Sequence, residues 1–188
     1  MTRDERRLML ESFGRGPALL CAALRPLPKK MWLYQPPEGG WSIHEIILHL
    51  ADREVNSYSS FRRLIAEPNR EVSEFDAEQW ADSLGYFHQS TREAIEIIRR
   101  LRRMTYQLAV ALPPAVWIRA VLHAQMGQIT LEDWLQEQER HIPAYIDQMQ
   151  RNYSRWLQAH PLRKVPSNPL ELDVPAATAS ISLSAQAC

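Results

Sequence analysis

His141 and Tyr145 stand four residues apart in HIPAYIDQM, a spacing that on a helix aims both side chains at one point. At about 100° per residue, Gln138, His141 and Tyr145 fall within about 60° of one another. They flank an apolar stripe of Leu131, Ile142 and Met149. Side chains at i and i+4 commonly present two ligands to a metal. The same pair also suits a buried His and Tyr satisfied by each other or by backbone. A second source is IHEIILHLADRE, with His44 and His49. His44 lies near the apolar stripe of its helix and can close over Trp41. His49 falls on the far side of the Ile43/Ile47/Leu50 stripe, so periodicity alone places it at the surface unless another helix meets it. Asp52 and Arg53 follow at three and four residues, placed either to orient His49 or to form a solvated pair.

The other reactive residue types point elsewhere. His88, His123 and His160 read as structural or solvent-facing. The run Arg99, Arg100, Arg102 and Arg103 follows Glu93 and Glu96 and reads as a solvated helix face. Cys21 sits in the apolar run LLCA and reads as core, and with Cys188 it makes no disulfide framework. The chain has no G-x-S-x-G, Walker loop, dinucleotide fingerprint or C-x-x-C.

The elements that must position these residues are helical. Residues 4–24 predict a first helix with Leu8, Leu10, Leu19, Leu20, Ala23 and Leu24 inward, interrupted by Gly14 and Gly16. Pro26 to Gly40 is a loop. Ser42 and Glu45 form a capping box that opens a second helix, ended by Pro68, with Ile43, Ile47, Leu50, Tyr58, Phe61 and Ile65 inward. A third helix is predicted over 83–112, with Leu84, Phe87, Thr91, Ile95, Ile98, Leu101, Thr105 and Leu108 inward. Pro113 and Pro114 stop it, and Pro114 to Trp117 suits one short turn. Thr130 and Asp133 open a fourth helix carrying Leu131, Trp134, Leu135, Ile142, Ile146, Met149, Tyr153 and Trp156.

Four amphipathic helices without a strand pattern predict an all-α fold, an antiparallel four-helix bundle over residues 1–158. Residues 159–188, rich in Pro, Ser and Ala, read as a flexible tail. The 188 residues carry 22 basic and 22 acidic side chains and a formal charge of zero. That balance argues against general nucleic-acid or anionic-membrane binding, both of which need surplus basic charge. No apolar run approaches bilayer length and MTRDERRLML has no signal-peptide core, so a cytoplasmic protein is expected.

GGWSIHEIILHLADRE, residues 39–54, resembles the second-helix signature of the DinB/YfiT-like superfamily, W-S/T-x-x-E-x-x-x-H-L-A-D. GQITLEDW at 127–134 and HIPAYIDQM at 141–149 resemble its later blocks, in the same order. The resemblance covers roughly residues 5–157. It implies a four-helix bundle whose cleft holds a divalent metal, often zinc or nickel, on three histidines. The family's first two ligands correspond to His49 and His141. The third corresponds to Tyr145, a phenol with an ordinary pKa near 10 that ligates strongly only after losing a proton. Glu137 or Asp52 is placed to complete a mixed set, or Tyr145 to hydrogen-bond a metal-bound water.

The resemblance implies metal-dependent chemistry at a partly degenerate site, either hydrolysis or S-transfer from a low-molecular-weight thiol. The metal ligands would be His49 and His141, with Tyr145 a third ligand or a proton donor and Asp52 and Arg53 supporting them. The alternative is a non-catalytic dimeric bundle that has lost its metal and binds a small ligand or partner. A DNA-repair role, attached to the family only by its damage-inducible name, does not suit a neutral chain. A shared site requires His49, His141 and Tyr145 to converge to within about 5 Å.

Overall fold

The computed structural model describes residues 1–67, 71, 75–125 and 127–161. Pro68, Cys188 and the tail beyond residue 161 lie outside that range. Four long helices dominate: α1 (Arg3–Leu24), α2 (Ile43–Ala66), α4 (Thr91–Val110) and α6 (Leu131–Ala159). Two short ones intervene, α3 (Ala77–Ser83) and α5 (Pro114–Trp117). Three of the long helices open with reciprocal capping boxes, Thr2 with Glu5, Ser42 with Glu45 and Thr130 with Asp133. Each box satisfies N–H groups that the first turn leaves without helical partners.

The third predicted helix needs correction. It begins at Thr91, not 83, because Ser90 caps it and Gly85 turns the chain at φ 58°. Leu84 and Phe87, expected inward, are 49% and 68% exposed, on the connection that precedes the helix. On α1, Leu8 and Leu19 are likewise exposed, while Phe13 takes a core position. A hairpin that periodicity does not predict, β1 (Val121–His123) with β2 (Gly127–Ile129), joins α5 to α6. Three-residue strands are too short to show alternation.

Residue pairs across the bundle set the helix directions. Arg6 meets Glu132, Ser12 meets Glu139 and Gly16 faces Ile142, so α1 and α6 run side by side in the same sense. Across α2 and α6 the order reverses: Trp41 meets Asn152, His49 meets Tyr145 and Arg53 meets Glu137. The helices therefore surround the core in the order α1–α6–α2–α4, with α1 also packed on α4. The site helices form an antiparallel pair, and the long connection containing α3 carries the chain from α2 to α4.

The core has two apolar clusters. One gathers Leu20, Met31, Ile43, Ile46, Ile47, Ile98, Ile142 and Met149; the other Phe13, Phe61, Leu64, Trp117, Leu131 and Leu135. Between them in sequence, on α2 and α4, lie Glu54 and Arg102, whose side chains are 3% and 4% exposed. Arg102 donates from Nε and Nη2 to both Glu54 oxygens, at 2.6 to 3.0 Å, and its guanidinium lies over the Phe13 ring. Arg102 thus leaves the predicted solvated face, because one residue of the run falls on the inward side of α4.

Candidate metal centre

His49, expected at the surface by periodicity, is buried, 2% exposed. The face of α2 opposite its main apolar stripe is covered by α6 and by Trp41, whose ring lies 4.7 Å from that of His49. His141 and Tyr145 on α6 meet it there. Ring centroids stand 4.9 Å apart for His49 and Tyr145, 5.5 Å for His141 and Tyr145, and 6.3 Å for the two histidines. The three side chains that the family signature aligns do gather in one place. Phe75 closes a further side, 5.9 Å from His49, and itself packs on Trp80.

The neighbours take different roles from those expected. Asp52 does not orient His49; it accepts a hydrogen bond from the Tyr86 hydroxyl at 2.6 Å. Burial raises the pKa of the Asp52 carboxyl and, with the adjacent carboxylate, that of the Tyr86 phenol. The His44 Nε2 contacts the Tyr86 carbonyl at 2.8 Å, so His44 and Asp52 together pin the segment around Tyr86 onto α2. Nothing in the sequence marked Tyr86 for this role. Arg53 lies 3.7 Å from Glu137, whose Oε1 is 3.8 Å from His141 Nδ1. Gln138, on the same face of α6, is buried. His88 ends a 3-10 turn, His123 is buried in the hairpin and His160 stacks on Trp156, all apart from this group.

Both ring nitrogens of His49 are buried without a hydrogen-bond partner among the described residues. An unsatisfied buried polar atom costs about 1–3 kcal/mol, so an imidazole left this way is poised for a ligand. Burial, then the Arg53 charge, lowers the pKa of His49 to about 4. Burial, then Arg53, His49 and Arg102, lowers that of His141 to about 3. Both therefore offer neutral lone pairs at pH 7, the form that binds metal. Burial pushes the Tyr145 phenol up, partly opposed by Arg53, so it keeps its proton.

These residues offer a divalent cation two neutral imidazoles, which must draw about 1 Å closer to share it. An ion about 2.1 Å from a ring nitrogen sits about 3.2 Å from the ring centroid, which puts two rings on one tetrahedral ion about 5.2 Å apart. The observed 6.3 Å lies about 1 Å beyond that. Among the described residues no three His, Cys, Asp or Glu side chains form a group able to hold a metal. The third corner is an un-ionised phenol.

The two depressed histidines make a pH prediction for metal-free protein. Their unfolded pKa is near 6.5, above the folded values of about 4 and 3. Below pH 6.5 the unfolded chain takes up protons that the folded chain refuses, so stability is full above 6.5 and declines toward pH 3. In chelator, the urea midpoint should fall as pH drops from 7 to 4, and less steeply in His141→Gln. An unchanged slope in that variant would show that His141 does not carry the effect.

The sequence model of the DinB superfamily matches residues 12–142, more than two thirds of the chain. The chain belongs to the DinB superfamily. A protein of Oceanobacillus iheyensis named "Putative metal-dependent hydrolase" is 28% identical over 93 residues, 50% of this DinB chain and 54% of its own. A Bacillus mycoides protein of the same name is 24% identical over 115 residues, 61% and 66% of the two chains. The DinB chain thus spans between half and two thirds of these relatives. Among solved structures, YfiT from Bacillus subtilis superposes with a TM-score of 0.71 at 20% identity, over 82% of this chain and 90% of that one. YfiT is described as a "probable metal-dependent hydrolase with an unusual four-helix bundle topology". At that identity the likeness concerns the fold. Among the described residues of this DinB chain, no helix is long and apolar enough to cross a membrane.

Proposed function

We propose that this DinB protein is a hydrolase that works with a divalent cation held by His49 and His141. The observation that carries the reading is His49, a buried neutral imidazole with both nitrogens unpartnered, facing a second neutral imidazole. The names of the relatives supply the reaction type. A divalent cation bound there would supply a polarised carbonyl or a water acidified toward neutral pH. The chain's own residues do the rest. Tyr145 keeps its proton and is a hydrogen-bond donor toward a substrate oxygen or leaving group. Arg53 adds positive charge where negative charge develops on the substrate. Trp41 and Phe75 exclude water from the His49 side. Asp52 acts at a distance, by holding Tyr86 and the segment around it against α2.

S-transfer from a small thiol would call on the same two imidazoles. A second reading, a bundle without metal or catalysis, is favoured by the protonated phenol at 145 and the missing third donor. One experiment separates the readings: zinc and nickel titration of protein purified without a histidine tag or chelator, beside His141→Ala. The expected result is one weak site, lost in His141→Ala with helicity retained. A wild type that ignores both metals would sink the proposal and favour the second reading.

A further inference from the structure

An open groove of about 810 Å³ lies between α1 and α4, the pair opposite α2 and α6 around the bundle. Its volume falls within the range of about 300–1,000 Å³ typical of small-molecule sites. Gly14, Pro17, Ala18, Tyr106 and Cys21, which is disulfide-bonded and not the free core thiol expected, supply apolar lining, with Arg15, Arg25, Arg99 and Arg103 beside it. Gly14 allows this lining, because a Cβ there would stand 3.0 Å from the Tyr106 ring. A helix-interior glycine costs about 1 kcal/mol relative to alanine, and here it lets the aromatic ring lie against the α1 backbone.

The charge around the groove is one-sided. Among the described residues its one acidic lining side chain, Glu11, already pairs with Arg7 at 2.8 Å. Arg99 pairs with Glu96, whereas Arg15, Arg25 and Arg103 have no ion-pair partner among the described residues. In a chain of zero net charge this is local segregation, and a cleft lined by one sign concentrates the opposite one. Arg15 and Arg25 are ten residues apart on one helix, about 15 Å along its axis. A single inorganic anion cannot reach both.

We propose that this groove binds an elongated organic anion, with an apolar body along Tyr106, Pro17 and Ala18 and acidic groups toward Arg15 and Arg25. Guanidinium forks suit phosphate, sulfonate or carboxylate heads alike, and the apolar lining excludes ions that lack a body.

The probe is bis-anilinonaphthalene sulfonate, a dianionic aromatic, titrated by its fluorescence. N-phenyl-1-naphthylamine serves as an uncharged aromatic control. One tight equivalent of the dianion should bind the wild type and weaken as salt rises. The exposed double variant Arg25→Glu/Arg103→Glu should lose at least about tenfold in that affinity while its weak response to the neutral amine stays unchanged. His141→Ala should bind the dianion as the wild type does, which separates this groove from the metal site. Equal dianion affinity in the double variant, or no saturable binding to the wild type, overturns the proposal.

Discussion

Tyr145→His is expected to raise zinc affinity on the order of 100-fold, about 2.7 kcal/mol. The ring at position 145 stands 4.9 Å from His49 and 5.5 Å from His141, so the backbone already aims this side chain at the pair. What the wild type lacks is the donor. Burial keeps the phenol protonated, and a protonated phenol is a poor ligand for zinc. An imidazole there would be neutral at pH 7 and would complete three protein nitrogens, leaving a fourth position open as catalytic zinc sites do. Calorimetric zinc titration of both proteins at pH 7.5 checks this. A folded Tyr145→His protein that binds zinc no better than the wild type would mean that His49 and His141 are not aimed at a common point.

Breaking the Glu54–Arg102 pair should cost about 3–5 kcal/mol, a large share of the 5–15 kcal/mol that stabilises a typical domain. Glu54→Ala leaves a guanidinium that is 4% exposed with no carboxylate, and the Phe13 face cannot replace three charge-assisted hydrogen bonds. The double variant Glu54→Leu/Arg102→Met should recover most of the loss, because apolar groups of similar volume avoid the desolvation of both ions. Urea unfolding of the three proteins decides it. If Glu54→Ala costs less than about 1 kcal/mol, water reaches the guanidinium and the pair behaves like a surface bridge. A double variant as unstable as the single one would mean that packing, not charge, holds the junction between the two apolar clusters.

The four-helix class was legible because its signals are local. Ser42 with Glu45 and Thr130 with Asp133 mark helix starts within four residues, and the apolar stripes of α2 and α6 repeat at helical period. Position 145 was legible too, since His141 and Tyr145 share a face of one helix whatever surrounds it. The start of α4 was not, because Leu84 and Phe87 continue its apolar period while lying on an exposed connection. The hairpin at 121–129 escaped for want of length.

His49 shows most clearly where sequence stops. Its own helix assigns it to solvent, and only the arrival of α6 and Trp41 on that side buries it and leaves its nitrogens unpartnered. Arg102 is the same case on α4: one arginine among four, made internal by Glu54 from another helix. Tyr86 reaches Asp52 from the connection before α4, where the apolar period points to Leu84 and Phe87 instead. Local hydrogen bonding and one-helix periodicity determined by themselves the elements and the pairing of His141 with Tyr145. Burial, proton affinity and the meeting of His49 with that pair depend on which helices become neighbours, a property of contacts distant in sequence, and so only the tertiary structure decided them.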